Sequence, residues 1–135
     1  MNLTILIAII VAGVVILVLI SLIGRSKPQG IDRLYFKNEW LDVIDIQKNY
    51  KTRPMSIVNA DKLLDEALKG LAYRGDTMAE RLIAAKGQLK SRNTVWAAHK
   101  LRNKIVHDAM HEPTEKEVKV ALDGYRKAFK DLGVF

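Results

Sequence analysis

Arg102, Asn103 and His107 fall within six positions of one another in the stretch 93–111, NTVWAAHKLRNKIVHDAMH, which holds all three histidines of the chain. These residue types can do chemistry on a phosphate. Imidazole moves protons near neutral pH. A guanidinium offers a planar fork of donors to anionic oxygens. An asparagine beside them can orient either partner by hydrogen bonding. On an ideal helix Arg102 and His107 are about 140° apart, so one regular helix does not align them. A fraying helix end or a second chain is needed to bring them together. A bracing arrangement uses the same residues: Arg102 pairs with an acid such as Asp108 or Asp123, and His107 caps the negative end of its helix.

The surroundings are basic. Between Lys86 and Lys104 there are six lysines and arginines and no acid. Lys90, Arg92, Lys100 and Lys104 can steer a polyanion, and His99 extends the same site as a substrate-binding residue. Only Trp96 interleaves an aromatic ring, so stacking of single-stranded bases has little support. His107 and His111 stand at i, i+4 with Glu112 adjacent, a spacing that can hold a metal. A third ligand at motif spacing is missing, so no metal is assigned. The chain has no cysteine, which excludes disulfides and thiolate zinc sites.

The elements around this stretch follow from apolar periodicity. Leu3–Ile23 is an uncharged run of 21 residues, long enough as a helix to cross one hydrocarbon core. The flank before it has no basic residue, and no small-residue cleavage site follows it. We therefore expect residues 1–24 to be an uncleaved anchor rather than a signal peptide. Arg25, Lys27 and Arg33 follow on one side only. The positive-inside rule then puts the C-terminal part in the cytoplasm of a single-pass protein, with a very short outer tail. Residues 25–30 read as a polar linker with a Pro and a Gly.

The remainder, 31–135, reads as one all-α domain. A first helix over 31–48 has Leu34, Leu41, Ile44 and Lys48 near one stripe, flanked by Tyr35, Trp40 and Val43. A second over 56–73 has a core face of Ile57, Ala60, Leu64, Ala67, Leu68 and Leu71, with Gly75 as its stop. A short helix opens at a Thr77–Glu80 capping box and runs to about Lys86. Asn93 is the expected N-cap of the helix carrying the motif, over 94–108, whose buried side is Val95, Ala98, Leu101, Ile105 and Ala109. Pro113 and a Thr114–Glu117 box start the last helix, whose apolar stripe includes Val118, Leu122, Tyr125 and Phe129. The net charge of +7 lies wholly beyond residue 24 and suits anionic lipid or nucleic acid.

Arg102-Asn103-x-x-x-His107, with Leu101 before the arginine, Ile105 and Val106 before the histidine and Asp108 after it, resembles the signature of the HEPN superfamily. The close likeness covers about residues 93–111, and the helical order of 31–133 agrees with it. The resemblance implies an antiparallel four- to five-helix bundle behind the N-terminal transmembrane helix. It also implies RNA or a nucleotide as partner. In catalytic members it implies metal-independent, cofactor-free ribonuclease activity at a site shared by a homodimer, with Arg102, Asn103 and His107 as the catalytic residues. One branch of the family has a tyrosine two positions after the histidine; here that residue is Ala109. A function from another class also fits the sequence: a non-catalytic, membrane-tethered bundle that presents a surface to an unidentified protein partner.

Overall fold

The computed structural model describes residues 2–23 and 30–135. The expected linker at 25–30 falls outside them, apart from Gly30. The described residues form six helices joined by turns and short loops: α1 (Leu3–Ile23), α2 (Arg33–Ile46), α3 (Arg53–Gly70), α4 (Met78–Ala84), α5 (Arg92–His107) and α6 (Glu115–Asp131). None of them is a strand.

α1 is long and apolar enough to cross a membrane, and its side chains from Leu3 to Ser21 are all exposed. A helix that is apolar all round has no solvent-facing side in water. A helix of this length near the N-terminus fits either a membrane span or a signal sequence.

The other five helices share one core. α3 is its hub and packs against α2, α4, α5 and α6, while α5 and α6 form the most extensive pair. Ile57, Leu64 and Leu68 of α3, Val95 of α5, and Val118, Tyr125 and Phe129 of α6 are fully buried. Gly124 lets α5 and α6 approach closely. A Cβ there would lie 2.9 Å from the carbonyl oxygen of Thr94.

The inward face of α2 differs from the sequence expectation. Phe36, Trp40 and Val43 are buried, whereas Leu34 and Leu41 are 69% and 57% exposed. The helix is rotated by about 100°, one residue's worth. Aromatic area decides this rotation. Phe36 and Trp40 pack on Phe129, with centroids 6.4 and 5.6 Å away, and Phe135 stacks on the same ring at 4.9 Å. Two aromatic rings remove more apolar surface from water than two leucines do.

The helix ends differ from expectation in three places. α3 starts at Arg53, because Pro54 fits a first helical turn, where no amide hydrogen is needed. It ends at Gly70, and the left-handed residue that follows it is Ala72 (φ 64°), three positions ahead of Gly75, whose φ is also positive. α5 starts after Ser91, so Asn93 lies inside the helix. The chain entering that end is held by Asp131 of α6, which accepts from the amides of Lys90 (2.8 Å) and of the N-cap residue Ser91 (3.3 Å). Thr77 and Thr114 cap α4 and α6, and the Thr114–Glu117 box is complete.

Candidate functional site

The site is built from α3 outward. Asp61 stands on the inward stripe of α3 between Ile57 and Leu64 and is 3% exposed. A carboxylate at such depth is tolerated only when its oxygens are taken up by donors. Its Oδ1 accepts from Tyr125 Oη (2.9 Å) on α6 and pairs with His99 Nδ1 (2.8 Å) on α5. Its Oδ2 lies 3.5 Å from Arg102 Nε. That last contact is an ion pair without hydrogen-bond geometry, since Arg102 Nε is buried with no hydrogen-bond partner. Burial, with the Asp61 charge and hydrogen bond, pushes the Tyr125 hydroxyl far above its ordinary pKa. Tyr125 is therefore a fixed donor.

The web continues along α5. Asn103 Nδ2 lies 3.3 Å from His99 Nε2, and Arg102 Nη1 donates to Asn103 Oδ1 at 3.0 Å. His99 and Asn103 are i, i+4 partners, which face each other on a helix. His99 also meets Trp96 edge-on at 6.0 Å. Arg102 keeps 32% of its side chain exposed, at the mouth of a cleft of about 480 Å³ between α3, α4 and α5. Asp61, His99 and Asn103 line that cleft with it.

A second ion pair forms the α4 wall. Arg81, itself buried, grips Asp65 through Nε (2.6 Å) and Nη2 (3.0 Å) and also donates to the Gly75 carbonyl. Lys69 adds a contact to Asp65 at 2.8 Å. Burial opposes the charge on Asp65, but the hydrogen bonds from Arg81 and Lys69 outweigh it and hold the carboxyl below its usual range.

The structure thus gathers Arg102, Asn103 and His99 and leaves His107 apart. His107 is exposed at the last position of α5 and does not line the cleft. It shares the outer ridge of α5 with Lys100 and Lys104, which are exposed as well. Lys90 and Arg92 lie at the opposite end of that helix, also exposed. The acid that Arg102 meets is Asp61, and neither Asp108 nor Asp123. Asp123 pairs instead with Arg126 and Lys127. His111 is half-buried, and its Nε2 has no hydrogen-bond partner. Among the described residues no group of three His, Asp or Glu side chains could hold a metal.

No family model matches this chain, and no curated protein or solved structure does either. The geometry alone carries the reading of the site. Asp61, Asp65, Arg81 and Tyr125 are the site residues that motif reasoning missed. A signal for Asp61 was present in the sequence: it is an acid at i+4 from Ile57 and three before Leu64 on an otherwise apolar stripe. Such an acid must find buried partners.

Proposed function

We propose that this chain is a membrane-anchored, HEPN-like helical module that engages RNA or a nucleotide through Arg102 and Asn103. In this reading α1 spans the membrane once and the bundle lies on the cytoplasmic side, where the basic flank of α1 belongs. One observation carries the proposal. Arg102 is held from behind by buried Asp61 and from the side by Asn103, yet a third of it faces an open cleft. A guanidinium fixed on one edge with free N–H groups on the other is pre-organised for a phosphate.

Cleavage needs a proton-moving group as well. His107 lies on another face of α5, so catalysis requires a second copy of the chain to bring its His107 to this Arg102. In that homodimer His107 takes the 2′-hydroxyl proton as the 2′-oxygen attacks phosphorus. The P–O5′ bond breaks to leave a 2′,3′-cyclic phosphate, and the departing 5′-oxygen takes a proton from the imidazolium or water. Arg102 offsets charge on the phosphate and Asn103 orients it. Lys100 and Lys104 beside His107 supply the electrostatic approach.

The test is metal-free cleavage of single-stranded RNA by the full chain in lipid nanodiscs with EDTA present. The expected result is cutting that His107→Ala and Arg102→Ala each abolish. Binding without cutting leaves a nucleotide- or RNA-binding module. Neither binding nor cutting over a broad RNA panel leaves the second reading, a tethered protein-interaction bundle. The exposed Leu34 and Leu41 on α2 favour that alternative.

A further inference from the structure

The hydrogen bonds around His99 have only one consistent polarity. A carboxylate only accepts, so the proton shared with Asp61 Oδ1 resides on His99 Nδ1. At the other end a guanidinium only donates, so Asn103 Oδ1 faces Arg102. The amide nitrogen of Asn103 is then turned toward His99 Nε2. An amide nitrogen only donates, so Nε2 offers a lone pair. The arrangement that satisfies both contacts is a His99 ring with its proton on Nδ1 and a lone pair on Nε2. Asp61 and Arg102, which have no alternative roles, fix the polarity from both ends.

Protonating His99 breaks this arrangement. Both ring nitrogens then carry hydrogens, and Nε2–H meets the NH₂ of Asn103. Turning the amide over repairs that contact but sets the same NH₂ against the Arg102 guanidinium. No orientation of Asn103 serves a charged His99 and Arg102 together. The charged groups nearest His99 are Asp61 of α3, which pairs with it, and Arg102 of α5, with Arg81 of α4 lining the same cleft. Lys62, Asp65 and Asp76 line the same cleft, and Tyr125 of α6 shares the Asp61 oxygen.

We infer that His99 is a proton-controlled positioning residue for the Arg102–Asn103 pair, holding the guanidinium in place when neutral and releasing it when charged. Asp61 and Tyr125 set its tautomer. The consequence for a ligand, weaker phosphate binding in acid, rests on the function proposed above; the coupling itself does not.

The experiment uses the full chain in nanodiscs with ¹⁵N-labelled histidine and arginine side chains, His99 being assigned by its absence in His99→Gln. At neutral pH the His99 signals should report the Nδ1–H tautomer. On acidification the imidazolium signal and a change in the Arg102 Nε–H resonance should share one midpoint. In Asn103→Asp the carboxylate accepts from Arg102 in either state, and from Nε2–H only once His99 is charged, so the Arg102 signal should no longer follow the protonation of His99. A single-stranded RNA oligonucleotide should bind the wild type at least tenfold more weakly below that midpoint, and His99→Gln should lose this pH dependence. The inference is overturned by an Nε2–H tautomer or an imidazolium at neutral pH, or by an Arg102 signal in the wild type that does not follow His99. Coupled signals without RNA binding support the coupling and remove only the functional reading. RNA binding with the wrong tautomer removes only the coupling.

Discussion

Asp61 and His99, thirty-eight positions apart, meet through a 2.8 Å contact in the interior of the bundle. This contact ties α3 to α5, and the Tyr125 bond to the same oxygen ties both to α6. A motif that reads in sequence as a run along one helix is therefore supported in space by three.

Removing that support should be costly. Asp61→Ala leaves the Tyr125 hydroxyl and His99 Nδ1 without partners inside the core, and each orphaned group costs about 1–3 kcal/mol. We expect a loss of about 3 kcal/mol or more in urea unfolding followed by circular dichroism. Tyr125→Phe removes one donor and keeps the ring packed, so about 1 kcal/mol is expected there. Equal losses in the two variants would mean that Asp61 is not the centre of the web.

The Asp65–Arg81 pair predicts an acid-sensitive contribution. The folded Asp65 carboxyl lies below its unfolded value, so the unfolded chain binds the proton first as pH falls. Its contribution is complete above about pH 4, the ordinary aspartate range, and disappears as pH drops through the lower folded value. The melting-temperature advantage of the wild type over Asp65→Asn should thus be constant from pH 7 to 5 and shrink below pH 4. A gap that persists unchanged to pH 2 would contradict the ion pair.

Much of the architecture was legible in the sequence, because α3 and α6 have apolar stripes of clear helical period and Thr114 and Glu117 form a capping box by side-chain chemistry alone. Two features were not, each for a non-local reason. On α2, Leu34 and Leu41 give as good a stripe as Phe36, Trp40 and Val43, and only the Phe129–Phe135 stack decides between them. The segment leading into α5 is held by Asp131, about forty positions away, a contact that no local capping rule anticipates. In the candidate site Arg102 and Asn103 stood out by motif. Their partner His99 is fixed by Asp61, and that pairing exists only once α3 and α5 pack.

Gly124 offers a test of the α5–α6 contact. Alanine is favoured over glycine inside a helix by about 1 kcal/mol, so a free helix would gain from the exchange. Here the added methyl would press on the Thr94 carbonyl at 2.9 Å, and overpacking of this kind costs about 1–3 kcal/mol. Gly124→Ala should therefore lower stability or at best leave it unchanged, while Gly87→Ala, where nothing lies within 4 Å, should show no packing loss. A clear gain at Gly124 would show that the two helices do not approach this closely.

Arg102→Ala and His107→Ala separate bracing from chemistry. His107 is exposed at the end of α5, and surface substitutions usually stay within about 0.5 kcal/mol. Arg102 is tied to buried Asp61 and to Asn103. Its loss leaves the Asp61 charge less compensated, so a destabilisation of about 1–3 kcal/mol is expected. If the site acts on RNA, both variants lose cleavage while only Arg102→Ala loses stability. Mixing the two inactive variants adds a decisive arm, because in a shared homodimeric site one heterodimer interface pairs an intact Arg102 with an intact His107. Recovery of part of the cleavage on mixing would establish that the two side chains act across chains. No recovery, with heterodimers demonstrably formed, would leave Arg102 as a brace and His107 as a solvated helix end.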